Sequence, residues 1–269
     1  MTQQVILSIQ SAVMHGAVGN EAAMPVYQHL KQPAERLDTV RLAAHPGFGT
    51  SAISITPPQE LQNLLNDYCH LANFQNLGAV QTGYFGLPSQ IDPVARFISS
   101  SRAIQRNLIY LLDPVLGDGG RLYVDQAISD RMRDHLLPLA DILTPNQFEL
   151  GLLADTPITN ETDAISAARS LIKGRLQTVF ATGIATAAGQ IADILVCADT
   201  QTLIPAEKQS SGVSGSGDVL SAFFLSAVMN GKTTQKAAEI ASYSTAQILR
   251  RAETRLTMPV LRSVWEGRV

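Results

Sequence analysis

The sequence predicts an α/β fold, and three observations carry that expectation. Short apolar, β-branched runs recur along the chain between segments of helical period. The strong runs stop at polar loops rich in glycine, proline, asparagine and aspartate. The length of 269 residues suits one large α/β domain better than two small ones. No repeat, linker or low-complexity stretch divides the chain, so residues 1–269 are expected to form a single domain.

Composition narrows the function classes. With 45% hydrophobic residues, a sizeable core is available. The net charge is −3 and the densest basic pair is Arg250-Arg251, which argues against nucleic acid as a partner. Cys69 and Cys197 lie far apart, without metal-type spacing, and read as free thiols of a reducing compartment. The segment Met1 to Leu7 lacks a charged region followed by a long apolar run, so no signal peptide is expected. No apolar segment reaches bilayer-spanning length. The expectation is a soluble cytoplasmic protein with no membrane partner.

Taken in order, Val5 to Ile9 reads as a buried strand. It is followed by a polar loop from Gln10 to Asn20 and a helix from Glu21 to Leu30. Ligand groups at the carboxyl end of a strand are the habit of open α/β sheets. The loop carries no Gly-x-Gly-x-x-Gly, and the chain has no Gly-x-x-x-x-Gly-Lys-Ser/Thr, so nicotinamide and P-loop readings are weak. Leu37 to Leu42 reads as a second strand, with His45-Pro46-Gly47-Phe48-Gly49 after it as a candidate flap. Leu61 to Ala72 and Pro93 to Ser101 read as helices, flanking a short strand from Ala79 to Thr82 that ends at Gly83-Tyr84. Leu108 to Leu112 is a strong strand closed by Asp113-Pro114-Val115-Leu116-Gly117-Asp118. Two carboxylates in such a loop suit hydrated Mg²⁺ and a polyphosphate, although aspartate and glycine are also ordinary turn residues.

Val124 to Leu136 reads as a helix and Asp141 to Thr144 as a strand. Thr144-Pro145-Asn146-Gln147-Phe148-Glu149 follows. There the three-residue spacing puts Asn146 and Glu149 on one helical face, fit either for a metal's water shell or for a capping box. Asp163 to Lys173 reads as a helix. Thr178 to Ala181, Ala192 to Cys197 and Thr202 to Ile204 read as strands, the last two as an antiparallel meander. A long helix is expected from Thr234 to Arg250 and a short final element between Thr257 and Trp265.

The stretch Ser210 to Met229 organises the rest. A glycine-rich turn opens into an apolar helix of about three turns, with Asp218 at the junction. Gly215 and Gly217 are able to take positive φ. The amides of Gly215, Ser216 and Gly217 at the positive end of the helix would then receive a phosphate. A carboxylate beside phosphate is costly unless it accepts a proton from an attacking hydroxyl, so the pattern suggests phosphoryl transfer to an alcohol. An aspartate in the first turn is also a common cap.

Four loops now align: Ser11–Asn20, Asp113–Asp118, Thr144–Glu149 and Gly215–Asp218. With Thr82-Gly83-Tyr84, their order and wording resemble the ribokinase-like superfamily and, within it, the pyridoxal (vitamin B6) kinases, over nearly the whole chain. The resemblance implies a three-layer α/β/α sandwich with a mostly parallel central sheet. It implies ATP-dependent phosphorylation of the 5′-hydroxymethyl group of pyridoxal, and of pyridoxine and pyridoxamine. Asp218 is then the general base, and the amides of Gly215, Ser216 and Gly217 are the anion hole. Asp113, Asp118, Asn146 and Glu149 hold Mg²⁺ directly or through water. Asp113, Asp118, Glu149, Thr144, Thr182, Gly215 and Gly217 line ATP, with K⁺ near the two threonines. Ser11, Gly19, His45, Tyr84 and Asp218 meet the substrate, and a homodimer is expected. The alternatives are a hydroxymethylpyrimidine or other small-alcohol kinase, and a protein that binds pyridoxal phosphate with little turnover. The chain departs from the B6 pattern at Pro46 (usually threonine), Ala12 (usually histidine), Ser216 (commonly threonine) and Gly183 (frequently a hydroxyl residue), which bears on vitamer preference.

Overall fold

The structure is a computed structural model that describes residues 3–49, 52–206, 214–252 and 256. In chain order it runs β1 (Val5–His15), α1 (Asn20–His29), β2 (Ala34–Ala44), β3 (Ile53–Ile55), α2 (Pro58–Tyr68), β4 (Leu77–Thr82), α3 (Ile91–Ile104) and β5 (Ile109–Leu112). Then come β6 (Gly117–Asp118), β7 (Arg121–Leu122), α4 (Gln126–Arg131), β8 (Ile142–Leu143), α5 (Gln147–Ala154), α6 (Glu161–Leu171), β9 (Thr178–Ala185), β10 (Ile191–Cys197), β11 (Gln201–Ala206), α7 (Ser216–Met229) and α8 (Thr234–Leu249). Nine strands form one sheet in the order β11-β10-β9-β8-β5-β4-β1-β2-β3. The run from β9 to β2 is parallel, while β3, β10 and β11 join antiparallel at the two edges.

Strand periodicity explains the continuous apolar runs. Successive side chains point to opposite faces, and helices cover both faces, so both must be apolar. Leu7, Val80, Leu112, Leu143 and Val179 enter one core with α2, α3, α5 and α6. Ile6, Ala79, Leu111, Ile142 and Phe180 enter the other with α1, α7 and α8. The same alternation, continued one residue past β5 and β8, puts Asp113 and Thr144 on the face covered by α7.

Several boundaries differ from the sequence reading. β1 continues to His15, where a loop from Gln10 was expected. Its pairing with β4 ends at Ile9 opposite Thr82, but after an irregularity between Gln10 and Ala12 it goes on pairing with β2. The helix expected from Leu61 starts earlier, because Pro58 occupies its first turn, and Ala72–Asn76 is a separate 3₁₀ turn. The segment expected as one helix to Leu136 is α4 followed by a π-helical turn, Met132–Leu136. The element expected between Thr257 and Trp265, and the Ser210 to Val213 part of the glycine-rich stretch, lie outside the described residues. No described helix is long and apolar enough to cross a membrane.

Helix α7 is buried almost all round, from Val219 to Ala227, because it lies between the sheet, α1 and α8. Phe224 is fully buried, and its ring centroid is 5.0 Å from that of Phe180. Phe224→Ala is therefore expected to cost about 3–5 kcal/mol in a urea unfolding titration. A loss below 1 kcal/mol, roughly that of an exposed position, would contradict this packing.

Candidate active site

The site lies where the parallel strands end and α7 begins. Gly215 caps α7 with φ 93°, in the left-handed region that favours glycine. A Cβ there would lie 2.0 Å from the Ala17 carbonyl oxygen. That contact seats the turn on the loop after β1, and no other residue type fits. Gly217 differs from the sequence reading. It is an ordinary helical residue without positive φ, exposed, with open space where a Cβ would be. Helix α7 starts without a side-chain cap, so its first-turn amides are left for a ligand.

Asp218 is half-buried in that first turn, and its Oδ2 accepts a hydrogen bond from Gly19 N–H at 2.8 Å. Gly19 has φ 56° and presses against Ser11, whose carbonyl oxygen and Oγ would lie 2.2 and 2.5 Å from an added Cβ. Ser11 and the nearby Gly19 thus form one continuous surface with Asp218, which lies 199 residues beyond Gly19 in the chain. Asn20 anchors it from below. Fully buried, Asn20 accepts from Ser8 Oγ at 2.7 Å and donates to Asp38 Oδ1 at 2.8 Å. Burial pushes the Asp218 carboxyl up to about 6, and the Gly19 amide opposes the shift.

Asp113 and Glu149 are buried carboxylates. Burial, then the charges of Asp218 and Glu149, hold Asp113 well above the usual carboxylate range, while the Ser221 hydroxyl opposes this. Glu149 and Asn146 form the capping box of α5: Asn146 Oδ1 accepts from Glu149 N–H and Glu149 Oε2 from Asn146 N–H, each at 2.9 Å. They also clamp the loop after β5. Glu149 Oε1 accepts from the Leu116 and Gly117 amides at 3.0 and 3.4 Å, and Asn146 Nδ2 donates to the Gly117 carbonyl at 2.7 Å. The capping and ligand readings of this pair are thus not exclusive, but the caps engage both Glu149 oxygens. Asp118 is exposed and accepts from the Gly119 amide at 2.7 Å.

Thr144 is buried beside Asp113, on α7's side of the sheet. Thr182 is half-buried, its amide bonded to the Pro145 carbonyl at 2.9 Å. Tyr84 is half-buried at the end of β4, its carbonyl accepting from Thr39 Oγ1 at 2.6 Å. His45 Nδ1 accepts from the Gly47 amide at 3.1 Å, closing the 3₁₀ turn Pro46–Phe48. With Phe48, Ser214 and Leu256 it lines a narrow crevice against Gly16–Val18. An open cleft of about 740 Å³ includes Asp118, Phe148 and Gly183 but not Asp218.

One residue escaped the sequence reading. Ser221 is buried on α7, where its Oγ donates to Asp113 Oδ2 at 2.7 Å and lies 2.9 Å from Thr144 Oγ1. The available signal was a hydroxyl three residues after Asp218, on the same face of an otherwise apolar helix.

No described Lys or Arg forms an ion pair with Asp113, Asp118, Glu149 or Asp218. Carboxylates raised by one another's charge and lacking a cationic partner are a donor set that fits a divalent cation. Among the described residues no three His, Cys, Asp or Glu side chains form a compact ligand shell. An ion here would therefore keep water and phosphate oxygens as its other ligands, as Mg²⁺ does.

The architecture is that of a ribokinase-like α/β/α kinase. Residues 48–258 match the family described as phosphomethylpyrimidine kinase. A pyridoxine/pyridoxal/pyridoxamine kinase of Bordetella bronchiseptica is 31% identical over 91% of this chain and 88% of its own. A pyridoxal kinase of Arabidopsis thaliana is 31% identical over 91% and 81%. The solved pyridoxal kinase of Leishmania donovani with ADP and pyridoxine superposes with a TM-score of 0.87 at 25% identity, covering 97% of this chain and 94% of that one. The chain belongs to the phosphomethylpyrimidine kinase family, on the branch occupied by the pyridoxal kinases.

Burial holds Glu149 at about 8, against 4.5 for an ordinary glutamate. The stability that this carboxyl contributes is full below its unfolded value and is lost as pH rises through the folded one. Glu149→Gln cannot ionise, so in metal-free buffer its Tm is expected to gain on that of the parent between about pH 5 and pH 8. A Tm difference that stays flat over this range would refute the assigned shift.

Proposed function

We propose that this chain is a kinase that transfers the γ-phosphoryl group of ATP to the 5′-hydroxymethyl oxygen of pyridoxal, and of pyridoxine and pyridoxamine. The observation that carries the reading is Asp218, held by the Gly19 amide against Ser11 in the open first turn of α7. A hydroxyl resting on Ser11 and Gly19 would meet a carboxylate able to take its proton. As its oxygen bonds to phosphorus, the bond to the ADP oxygen breaks and the proton passes to Asp218. In-line transfer of this kind rests on positioning and charge neutralisation. The amides of Gly215, Ser216 and Gly217 supply fixed dipoles for the transferred group.

Asp113 and Asp118 are the proposed Mg²⁺ carboxylates, with Glu149 and Asn146 acting through water and through the loop they clamp. Bound there, Mg²⁺ would neutralise polyphosphate charge. Thr144 and Thr182 are assigned to the nucleotide side, with K⁺ near them, and Tyr84 and His45 to the pyridine ring. The reading includes one catalytic domain over residues 1–269 and a homodimer in the cytoplasm. A second reading, a hydroxymethylpyrimidine kinase, is favoured by the description of the matching family.

The test is ADP release from Mg-ATP with pyridoxal, pyridoxine, pyridoxamine and hydroxymethylpyrimidine offered in parallel. Turnover is expected on the B6 vitamers, and Asp218→Asn should lower kcat by about 10²–10⁴-fold. Turnover on the pyrimidine alone would favour the second reading. No turnover on any of the four, with pyridoxal phosphate still bound, would leave a binding protein. Burial places the Asp218 carboxyl at about 6 in the unliganded chain, so kcat/KM for the vitamer, which reports the free enzyme, should fall as pH drops through that value. An acid limb near 4 would show that an unperturbed carboxylate is responsible.

A further inference from the structure

Ser221, Thr144 and Asp113 come from α7, the end of β8 and the end of β5, and all three are buried. A hydroxyl has one proton to give. Ser221 Oγ donates to Asp113 Oδ2 at 2.7 Å, so its proton is committed. The 2.9 Å contact with Thr144 is then made with the threonine's proton. With Asp113 ionised, as a bound cation would leave it, the order is Thr144 to Ser221 to Asp113, and it fixes both ends. Thr144 spends its proton inward and keeps only acceptor capacity toward the nucleotide side. Asp113 is held by one oxygen, Oδ2, and among the described residues its Oδ1 takes no hydrogen bond. Ser221 also lies three residues after Asp218, so the base and this relay move with one helix.

We propose that Ser221 is a positioning residue: its hydroxyl locks Asp113 and Thr144 in the orientation that receives the metal–nucleotide complex, at a fixed spacing from Asp218. The proposal rests on the kinase reading. A serine that merely satisfied a buried hydroxyl would contribute to stability alone. The proposed role instead acts on the metal-dependent part of nucleotide binding.

The test is calorimetric titration of the full chain with ADP, once with Mg²⁺ and once with EDTA, alongside Tm and steady-state kinetics. Ser221→Ala is expected to weaken Mg-ADP binding about tenfold, on the scale of a hydrogen bond to a charged group. Binding in EDTA should be unchanged, as should the KM for pyridoxal. Thr144→Val should weaken Mg-ADP in the same direction, and Thr144→Ser, which keeps the hydroxyl, should bind more tightly than Thr144→Val. The Ser221→Ala/Thr144→Val double variant should be no worse than the more damaged single one, since residues of one network do not add. Parent-like Mg-ADP affinity in Ser221→Ala overturns the proposal, and so does an equal loss with and without Mg²⁺. Additive losses overturn it as well. If Ser221→Ala does not fold, the comparison of Thr144→Val with Thr144→Ser decides. A parent chain whose ADP binding ignores Mg²⁺ overturns the kinase reading together with this one, whereas insensitivity confined to the variants overturns this one alone.

Discussion

The rest of the site depends on one electrostatic constraint: carboxylates crowd the mouth of the sheet, and among the described residues no cationic side chain pairs with them. Asp113, Glu149 and Asp218 raise one another or are raised by burial, and no described lysine or arginine pairs with any of them. A fold whose only task was stability would replace such groups, since unpaired buried charge costs several kcal/mol. Here each carboxyl is instead held by partial dipoles. Asp218 has the Gly19 amide, Glu149 has three backbone amides, and Asp113 has the Ser221 hydroxyl. Such dipoles orient the charge without cancelling it. Without a ligand, protons relieve part of that charge, as at Glu149, which burial holds at about 8; on the proposed reading a metal–nucleotide complex would take their place.

Backbone contacts set the geometry in which this charge is displayed. Gly19 against Ser11 and Gly215 against Ala17 bring the loop after β1 and the turn before α7 closer than any Cβ allows. The Asn20 hydrogen bonds to Ser8 and Asp38 tie the same loop to β1 and β2. The Asp218 carboxylate is therefore located by two strands and two helices together, although among the described residues its side chain takes one hydrogen bond, from the Gly19 amide.

Legibility in the sequence followed the length and regularity of each signal. The parallel strands were read from continuous apolar runs, because two-sided burial removes the polar alternation that would otherwise mark a strand. Where pairing changed partner, at Gln10 to Ala12, the run turned polar and the strand was mistaken for a loop. Gly215, Asp218, Asp113 and Thr144 were legible because turn chemistry and strand ends constrain residue type locally. Ser221 was not, since one hydroxyl in a buried helix looks like any other until the fold brings Asp113 and Thr144 to it. Gly217 was read one step too far: a Gly-x-Gly suggests two positive-φ turns, yet α7 needs a left-handed residue only at its cap, and the second glycine leaves open space instead.

That open space bears on whether the chain transfers phosphate or only holds it. A pyridoxal phosphate carrier needs the helix amides and gains from their positive end, but a carboxylate in the same first turn repels the dianion it would store. Burial pushes Asp218 up only to about 6, so at neutral pH it remains mostly charged and would weaken such a carrier. A kinase needs that charge, because the base must be ionised before the alcohol attacks. Pro46 does not reverse the argument. It starts a 3₁₀ turn closed by His45 and Gly47, which suits a residue of fixed φ. The side-chain donor lost there belongs to the flap and leaves intact the Ser11–Gly19–Asp218 surface that β1, α1 and α7 build. On the proposed reading, Pro46 therefore bears on which ring the flap would accept and leaves the proposed proton transfer to Asp218 unchanged.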